Sequence, residues 1–257
     1  MDKLSVVKIG GNVIEDAEAL QSFLIDFAQM KGSKILVHGG GKKATAMAEK
    51  MDIPVQMIEG RRITDAQNLA IITMVYGGKI NKNIVAQLQN LGCNALGLTG
   101  ADGNAIQAVK RPVKSIDYGF VGDVVGINND LFQMLLKGEY TPVCCAITHD
   151  QKGQLLNTNA DTIAATLAQN LSSLFEVSLW YCFEKQGVLK DIDDDDSVIE
   201  TITLEKYKKL KTEQVIHSGM IPKIDNCLDA LQNGVAQVKI GAPKMISGKT
   251  KHTTLIL

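Results

Sequence analysis

The sequence predicts an α/β fold in which a sheet with parallel strands is covered by helices on both faces. Short β-branched runs alternate with longer helical patterns, beginning with "LSVVKIG", "AEALQSFLIDFAQM", "SKILVHGGG" and "KKATAMAEKM". This alternation is typical of βαβ units, whose crossover helices lie on the faces of the sheet. The composition agrees, because 257 residues of which 45% are apolar suffice for one large domain or two lobes sharing a sheet.

Later segments continue this rhythm or break it. Three segments are predicted to add strands: residues 69–78, "CNALGLTG" at 93–100 and "YTPVCCAI" at 140–147. Residues 104–128 break it, because apolar and polar residues alternate there around Gly119 and Gly122. That pattern predicts a hairpin, which in a parallel α/β fold often forms a lid or an edge extension.

A soft lobe boundary is predicted near residue 172. Beyond it the chain resumes with "LFEVSLWYCF", an acidic loop at 191–196, a helix and the terminal "HTTLIL". Adjacent aspartates in such a loop usually face water, so we predict no metal site there. The two lobes would comprise residues 1–172 and 173–257.

Charge and hydropathy exclude several classes of partner. Lysine and arginine total 27 against 28 acidic residues, so no net field favours nucleic acid or an anionic membrane. No stretch approaches the roughly 20 apolar residues of a membrane span. "MDKLSVVKIGG" enters a strand pattern without the features of a signal peptide. We therefore expect a cytoplasmic protein with reduced, mostly buried cysteines: Cys93, Cys144, Cys145, Cys182 and Cys227.

Two glycine-rich turns follow the first two predicted strands. The first strand carries Lys8 and ends at Gly10 and Gly11, and the second ends at Gly39 and Gly40. Ligands of open α/β sheets lie outside the carboxyl ends of the strands, where glycine lets backbone N–H groups approach an anion. Neither turn matches a known phosphate motif, and glycine also has purely steric uses in tight turns. Together, beside a strand lysine, they predict an anion site in one crevice.

Three further polar clusters each precede a predicted helix. They are Arg61 and Arg62 in "GRRIT", Asn157, Asn159 and Asp161 in "NTNAD", and Gly219 and Lys223 in "HSGMIPK". Two lysines and an arginine would then converge with a single acid. Phosphoryl transfer from ATP to a carboxylate suits such a site, because the acceptor is already ionised and the obstacle is repulsion between anions.

Asp161 has two interpretations from residue type alone. It is either a plain helix N-cap or a carboxylate placed between two lysines, which it would hold in place and keep charged. Asn157 lies too far upstream to cap the same helix.

The motifs "VVKIGGN", "VHGGG", "GRRIT", "LLNTNAD" and "SGMIPK", in this order, resemble the N-acetylglutamate kinase branch of the amino-acid kinase family. The resemblance covers nearly the whole chain. It implies a three-layer αβα sandwich around a mainly parallel, roughly eight-stranded sheet. It also implies ATP-dependent phosphorylation of the γ-carboxylate of N-acetyl-L-glutamate, the second step of arginine biosynthesis, with Mg²⁺ accompanying ATP. The N-terminal lobe would bind the acyl-amino acid and dimerise, and the C-terminal lobe would bind nucleotide.

The resemblance also implies roles for individual residues. Lys8 and Lys223 would stabilise the transferring phosphoryl group, and Asp161 would organise both lysines. Arg62 would hold the α-carboxylate of the substrate and Asn157 its acylated end, while Asn159 caps the helix. Backbone donors to phosphate would come from Gly10, Gly11, Gly39, Gly40 and Gly219, and Gly39 and Gly40 would also line the substrate site.

Departures from the family pattern leave alternatives open. Where relatives carry "LTDVPGV" this chain reads "CFEKQGV" at 182–188, so nucleotide contacts there are in question. An N-succinylglutamate substrate is the alternative, and it would need a further cation or donor near the acyl pocket, which Arg61, Lys110, Arg111 or Lys114 could provide. A non-catalytic sensor of acyl-amino acid or nucleotide is a rival. A dinucleotide oxidoreductase is disfavoured because the second strand ends in "HGGG".

The resemblance also bears on assembly. Arginine-inhibited members carry an extra N-terminal helix that links dimers into a hexameric ring. The first strand here begins within a few residues of Met1. We therefore expect a homodimer that arginine does not inhibit.

Overall fold

The computed structural model describes residues 1–58, 60–191, 193–213, 215–216 and 220–257. Its strands are β1 (Lys3–Ile9), β2 (Ser33–His38), β3 (Met57–Ile58), β4 (Arg61–Arg62), β5 (Ala95–Leu98), β6 (Ile106–Lys110), β7 (Gly122–Ile127), β8 (Thr141–Cys145), β9 (Ile147–His149), β10 (Leu155–Asn157), β11 (Glu176–Cys182), β12 (Thr201–Thr203), β13 (Gln237–Gly241) and β14 (Thr253–Ile256). Its α-helices are α1 (Gly11–Glu15), α2 (Ala17–Gln29), α3 (Gly41–Lys50), α4 (Ala66–Ile72), α5 (Asn81–Asn90), α6 (Asn129–Lys137), α7 (Ala160–Leu171), α8 (Leu204–Thr212) and α9 (Ile221–Gln232).

A central eight-stranded sheet organises the molecule, with strand order β12-β14-β13-β11-β1-β2-β8-β5. All neighbouring pairs are parallel except β13 with β14. Val6 and Val7 point to opposite faces of β1 and both are fully buried, so the sheet is covered on both faces. Helix α7 packs on β1, β2 and β11, and α5 packs on β5 and β8. The predicted mainly parallel α/β fold is confirmed.

The predicted hairpin is also present. Strands β6 and β7 pair antiparallel within a smaller sheet of order β10-β9-β6-β7. The chain that joins them reaches back to two of the polar clusters. The Phe120 N–H donates to the Thr64 carbonyl at 2.7 Å, and the Asn157 N–H donates to the Phe120 carbonyl at 2.9 Å. The hairpin therefore ties "GRRIT" to "NTNAD".

The prediction of a strand within residues 69–78 was wrong. Helix α4 occupies the start of this segment and continues as a π-helix, Thr73–Ile80, into α5. The Asp65 carboxylate caps α4 by accepting from the Asn68 N–H at 2.7 Å. A short apolar run fits a buried helix as well as a strand. Burial of Ile71 and Val75 in the core outweighs the β-propensity of the run.

The predicted boundary near residue 172 falls in the chain between the strands of the two halves of the central sheet, and the division into two lobes stays a prediction. Strands β1, β2, β5 and β8 precede residue 172, and β11 to β14 follow it. The division of ligands between these halves stays a prediction. No helix among the described residues is long and apolar enough to cross a membrane. All five cysteines are buried free thiols.

Candidate active site

The two glycine turns lie at the same edge of the sheet, because β1 and β2 are parallel neighbours. Each turn nevertheless lines its own cavity of about 690 Å³. The first cavity is lined by residues that include Gly39, Gly40, Arg61, Arg62, Arg111, Asn157, Asp161 and Tyr181. The second cavity is lined by residues that include Gly10, Gly11, Asn12, Phe183, Glu184 and Lys223. The single crevice expected from the sequence is thus replaced by two neighbouring cavities.

Gly40 is required by close packing rather than by flexibility alone. A β-carbon at Gly40 would overlap Ile80 Cδ1 and lie 2.9 Å from Tyr76 Cδ1, both on the π-helical segment. Only glycine lets the turn after β2 approach this segment so closely. The π-helix therefore fixes where the first cavity has its backbone donors. π-Helical turns inside helices often occur at functional sites.

Lys8 and Asp161 form an ion pair between the two cavities. Lys8 Nζ lies 2.7 Å from Asp161 Oδ1, and the side chains are 11% and 44% exposed. The approach is that of an ion pair rather than an aligned hydrogen bond, since Oδ1 accepts no well-directed donor. Asp161 lines the first cavity. A β-carbon at Gly10, which lines the second cavity, would lie 3.7 Å from Lys8 Nζ.

Asn159, rather than Asp161, is the N-cap of α7. The Asn159 side chain accepts from the backbone N–H groups of Asp161 at 2.8 Å and Thr162 at 3.1 Å. These are the orphan donors that a helix N-cap satisfies. The Asp161 carboxylate is consequently available to Lys8, which resolves the two interpretations that residue type left open.

Lys223 lies in the first turn of α9 and shares an aromatic neighbour with Lys8. Its Nζ is 4.3 Å from the centre of the Phe183 ring, and Lys8 Nζ is 5.8 Å from the same centre. Within the described residues, the ion pair of Asp161 is with Lys8, and Lys223 is held by the aromatic ring instead. The structure therefore brings both lysines to one place by two different partners.

Arg62 is 7% exposed at the wall of the first cavity. Its Nη2 donates to the Gly41 carbonyl at 3.0 Å and to Thr45 Oγ1 at 2.6 Å, while Nη1 lies 3.5 Å from Asn68 Oδ1. A guanidinium carries five N–H donors in a planar fork, more than these three contacts use. Arg62 is thus held rigidly at the start of α3 with donors left for an anion.

Asn157 and Arg111 of the hairpin also line the first cavity. Asn157 Nδ2 donates to Thr64 Oγ1 at 3.0 Å. Arg111 lines the same cavity and donates to Asp123 Oδ1 from Nε at 3.0 Å and from Nη2 at 2.6 Å. Of the four candidate cations for a larger acyl group, Arg61 and Arg111 line this cavity.

A buried histidine supports the turn after β2. His38 is fully buried at the end of β2, and burial lowers its pKa to about 4, so the ring is neutral near pH 7. Its Nδ1 therefore donates to the Gly39 carbonyl at 2.9 Å, while Nε2 accepts from Asn81 Nδ2 at 3.1 Å. Asn81 Nδ2 also donates to the Val143 carbonyl at 2.9 Å. This network fixes the direction of the Gly39 peptide.

The two cysteines beside the lysines are not nucleophiles. Burial raises the pKa of Cys182 to about 12, against a smaller opposite effect of Lys8. Burial also raises the pKa of Cys227 to about 12, with Asp161 adding to the rise and Lys223 opposing it. A thiol with such a pKa stays protonated at neutral pH and is unreactive.

One predicted site residue lies outside the described residues, and one residue that contacts both lysines was not predicted. Gly219 lies outside the described residues. Phe183 was missed, because it was singled out only as part of "CFEKQGV", and nothing in the sequence places its ring on the lysines. Among the described residues, no cluster of three or more His, Cys, Asp or Glu side chains is arranged for a metal ion.

Similarity to known proteins agrees with the fold. The chain belongs to the amino acid kinase family, whose model matches residues 3–242. It is 53% identical to the acetylglutamate kinase of Phocaeicola vulgatus, over 93% of this chain and 93% of that protein. It is 56% identical to the acetylglutamate kinase of Cytophaga hutchinsonii, over 93% of this chain and 91% of that protein.

Solved structures share the architecture. The smu.665 protein of Streptococcus mutans UA159 matches with a TM-score of 0.75 and 26% identity, over 98% of each chain. N-acetylglutamate synthase from Neisseria gonorrhoeae matches with a TM-score of 0.80 and 18% identity, over 100% of this chain and 59% of that one. At this low identity the second match shows the fold alone.

Proposed function

We infer that this chain catalyses the ATP-dependent phosphorylation of the γ-carboxylate of N-acetyl-L-glutamate, a step of arginine biosynthesis. The observation that carries the inference is the Lys8–Asp161 pair, in which Asp161 lines the first cavity and Lys8 lies beside Gly10 of the second, a cavity of similar size. A two-substrate transfer needs two binding sites that meet where the charge develops. Relatives named acetylglutamate kinase are 53% and 56% identical to the chain and supply the identity of the acceptor.

The nucleotide would occupy the second cavity. Its phosphates would meet the Gly10 and Gly11 N–H groups and the ammonium groups of Lys8 and Lys223. These donors would stabilise the charge spread over the equatorial oxygens of the transferring phosphoryl group. Because the acceptor carboxylate is ionised at neutral pH, the reaction needs no general base. Protonated Cys182 and the ion-paired Asp161 match that requirement.

The acyl-amino acid would occupy the first cavity. The planar fork of Arg62 suits the α-carboxylate, and Asn157 would hydrogen-bond the acylated end. Backbone N–H groups at Gly39 and Gly40 would orient the γ-carboxylate toward Lys8. The hairpin packs beside Asn157 and would cover the bound substrate.

Magnesium would enter with ATP. Mg²⁺ usually binds through substrate phosphates and water with only one or two protein carboxylates. Among the described residues, the carboxylates that line the second cavity are Asp16 and Glu184. Asp16 caps α2 by accepting from the Glu18 and Ala19 N–H groups. Glu184 is therefore the better candidate for a carboxylate that would bind Mg²⁺.

One observation supports N-succinyl-L-glutamate as an alternative substrate. Arg61 and Arg111 line the first cavity together with Asn157. Either cation would attract the extra carboxylate of N-succinyl-L-glutamate. The paired contact of Arg111 with Asp123 makes Arg61 the simpler candidate.

ADP release by the purified protein with Mg-ATP tests the function. N-acetyl-L-glutamate, N-succinyl-L-glutamate and free L-glutamate would be compared in parallel. We expect turnover on an acylated substrate and a loss of about 100-fold or more in Lys8→Ala, because one charge-stabilising donor is removed. Lys137→Ala, at the exposed end of α6 away from both cavities, is the matched control. Absence of turnover on all three substrates would leave the sensor function as the better explanation.

The homodimer, its insensitivity to arginine and its cytoplasmic location also stay predictions. Light scattering coupled to size-exclusion chromatography measures the first, and ADP release with added L-arginine measures the second. A hexamer, or inhibition by arginine, would overturn them.

A further inference from the structure

One aromatic ring faces both lysines of the site. The centre of the Phe183 ring is 4.3 Å from Lys223 Nζ and 5.8 Å from Lys8 Nζ. Both distances fall within the roughly 6 Å over which the negative face of an aromatic ring attracts an ammonium group. The ring is partly buried and lines the second cavity beside Gly10 and Gly11. Two ammonium groups are therefore gathered around one neutral ring.

The position of this ring is determined by its surroundings. The Phe183 N–H donates to the Gly241 carbonyl at 2.8 Å, which extends the register of β11 with β13. The ring stacks on Tyr181, with centres 6.0 Å apart and planes 19° apart. Tyr181 Oη in turn donates to the Asp161 carbonyl at 3.2 Å. The ring is thus linked to the first turn of α7, where the partner of Lys8 lies.

An aromatic face and a carboxylate hold lysines differently. The Asp161 carboxylate lies directly beside the Lys8 ammonium group. Its negative charge offsets part of the positive potential that an anionic phosphoryl group would meet. A ring attracts the ammonium group through its quadrupole and leaves both the net charge and the N–H donors available. Lys223, held by the ring at the closer distance, would keep its positive charge undiminished.

We propose that Phe183 is a positioning residue whose ring holds Lys223, and to a smaller extent Lys8, and directs them at the transferring phosphoryl group. This proposal rests on the proposed kinase function. It explains how the chain keeps two lysines at one ring although, in the part of the chain that the structure describes, Asp161 pairs with Lys8 and not with Lys223. It also gives "CFEKQGV" a role in catalysis rather than in loss of activity.

Graded fluorination of the ring tests the proposal. Phenylalanine, 4-fluoro-, 3,5-difluoro- and 3,4,5-trifluorophenylalanine would be incorporated at position 183 by nonsense suppression. Fluorine withdraws density from the ring face while the ring keeps its shape and apolar surface. We expect kcat to fall stepwise by about tenfold in total, as attraction of the lysines weakens. The same series at Phe175, which is buried in the core and lines neither cavity, is the control and is expected to leave kcat unchanged.

The division between kcat and KM separates this role from others. A flat kcat across the series would mean that the ring is only an apolar wall, and the proposal would be overturned. A series confined to the KM for ATP would assign the ring to nucleotide binding and would also overturn it. Phe183→Tyr keeps the aromatic face and should retain kcat, whereas Phe183→Leu keeps apolar bulk and should lose it. Equal urea midpoints would show that both variants are folded.

A readout independent of turnover separates this proposal from the proposed function. An ammonium group over a ring shifts the adjacent Lys223 Hε protons upfield, which NMR on protein labelled with ¹³C-lysine would detect. The shift should be present in the unmodified protein, retained in Phe183→Tyr and lost in Phe183→Leu. If the protein shows no kinase activity but the shift behaves in this way, the proposed function fails and the placement of the lysine by the ring stands. If the shift is absent, the placement itself is wrong.

Discussion

At the scale of single residues, two polar side chains at the start of α7 have different functions, one capping the helix and the other pairing with a lysine. Asn159 satisfies the orphan N–H groups of the helix, and Asp161 holds Lys8. The sequence supplied both residues but not this division, because either residue type can cap a helix. The distinction depends on which side chain faces β1, and that follows from how α7 packs on β1.

Separate effects on catalysis and stability are expected from these two residues. Asp161→Asn should lower kcat by about 10- to 100-fold, because Lys8 loses the anion that orients it and small misplacements cost rate. It should leave the urea midpoint nearly unchanged, since Asn159 still caps the helix. Asn159→Ala should instead cost about 1 kcal/mol of unfolding free energy. Kinetics and urea unfolding of both variants measure this, and the opposite pattern would show that Asp161 is the cap.

Arg62 offers a test of the first cavity. Arg62→Lys should raise the KM for the acylated glutamate by about tenfold or more, because an ammonium group cannot reproduce the planar fork that matches a carboxylate. Steady-state kinetics with N-acetyl-L-glutamate measure this, and Arg61→Lys is the matched control with little expected effect on that substrate. An unchanged KM in Arg62→Lys would place the α-carboxylate elsewhere.

At the scale of elements, the strands were more predictable than the helix beside the site. The runs at 93–100 and 140–147 became β5 and β8, because four to eight β-branched and apolar residues between turns match a buried strand. Residues 69–78 have a similar composition and became helical. Local pattern could not separate these outcomes, since the choice depends on long-range packing of Val75 and Tyr76 against the sheet and the Gly40 turn.

The contact between the π-helix and the Gly40 turn can be tested by adding one methyl group. Gly40→Ala should cost about 1–3 kcal/mol of unfolding free energy, because its β-carbon would overlap Ile80 and approach Tyr76. Gly78→Ala, in the same π-helix, has open space around the added carbon and is expected to be neutral or slightly stabilising. Urea unfolding compares the two. Equal free energies would mean that the turn can move away from the π-helix without cost.

At the scale of the whole molecule, the sequence predicted one anion site, and the structure has two cavities, one lined by Asp161 and the other by Gly10, which lies beside Lys8. Both glycine turns were correctly expected at one edge of the sheet, because βα turns of parallel strands share an edge. Their separation was not predictable, because it depends on where α7 and the hairpin project from the sheet. The sequence therefore predicts the backbone donors but not their separation into two cavities. Two separate cavities suit two substrates that must be bound independently.

The buried His38 makes the stability of the whole molecule depend on pH. Burial lowers its pKa from 6.5 to about 4, so between these pH values the unfolded chain binds a proton that the folded chain does not. Stability is therefore present above pH 6.5 and is lost as pH falls toward 4. Between pH 7 and pH 5 this one residue should remove about 2 kcal/mol of unfolding free energy, by the linkage of proton binding to folding.

Urea unfolding of the unmodified protein and of His38→Gln at pH 7 and at pH 5 measures this contribution. Carboxylates also titrate near the lower pH, but they do so in both proteins and cancel in the comparison. We expect His38→Gln to be less stable than the unmodified protein at pH 7, because the donor to the Gly39 carbonyl changes, and to lose less stability on acidification. If both proteins lose the same free energy between the two pH values, His38 accepts a proton in the folded state and the hydrogen bond from Asn81 to its ring does not hold it neutral.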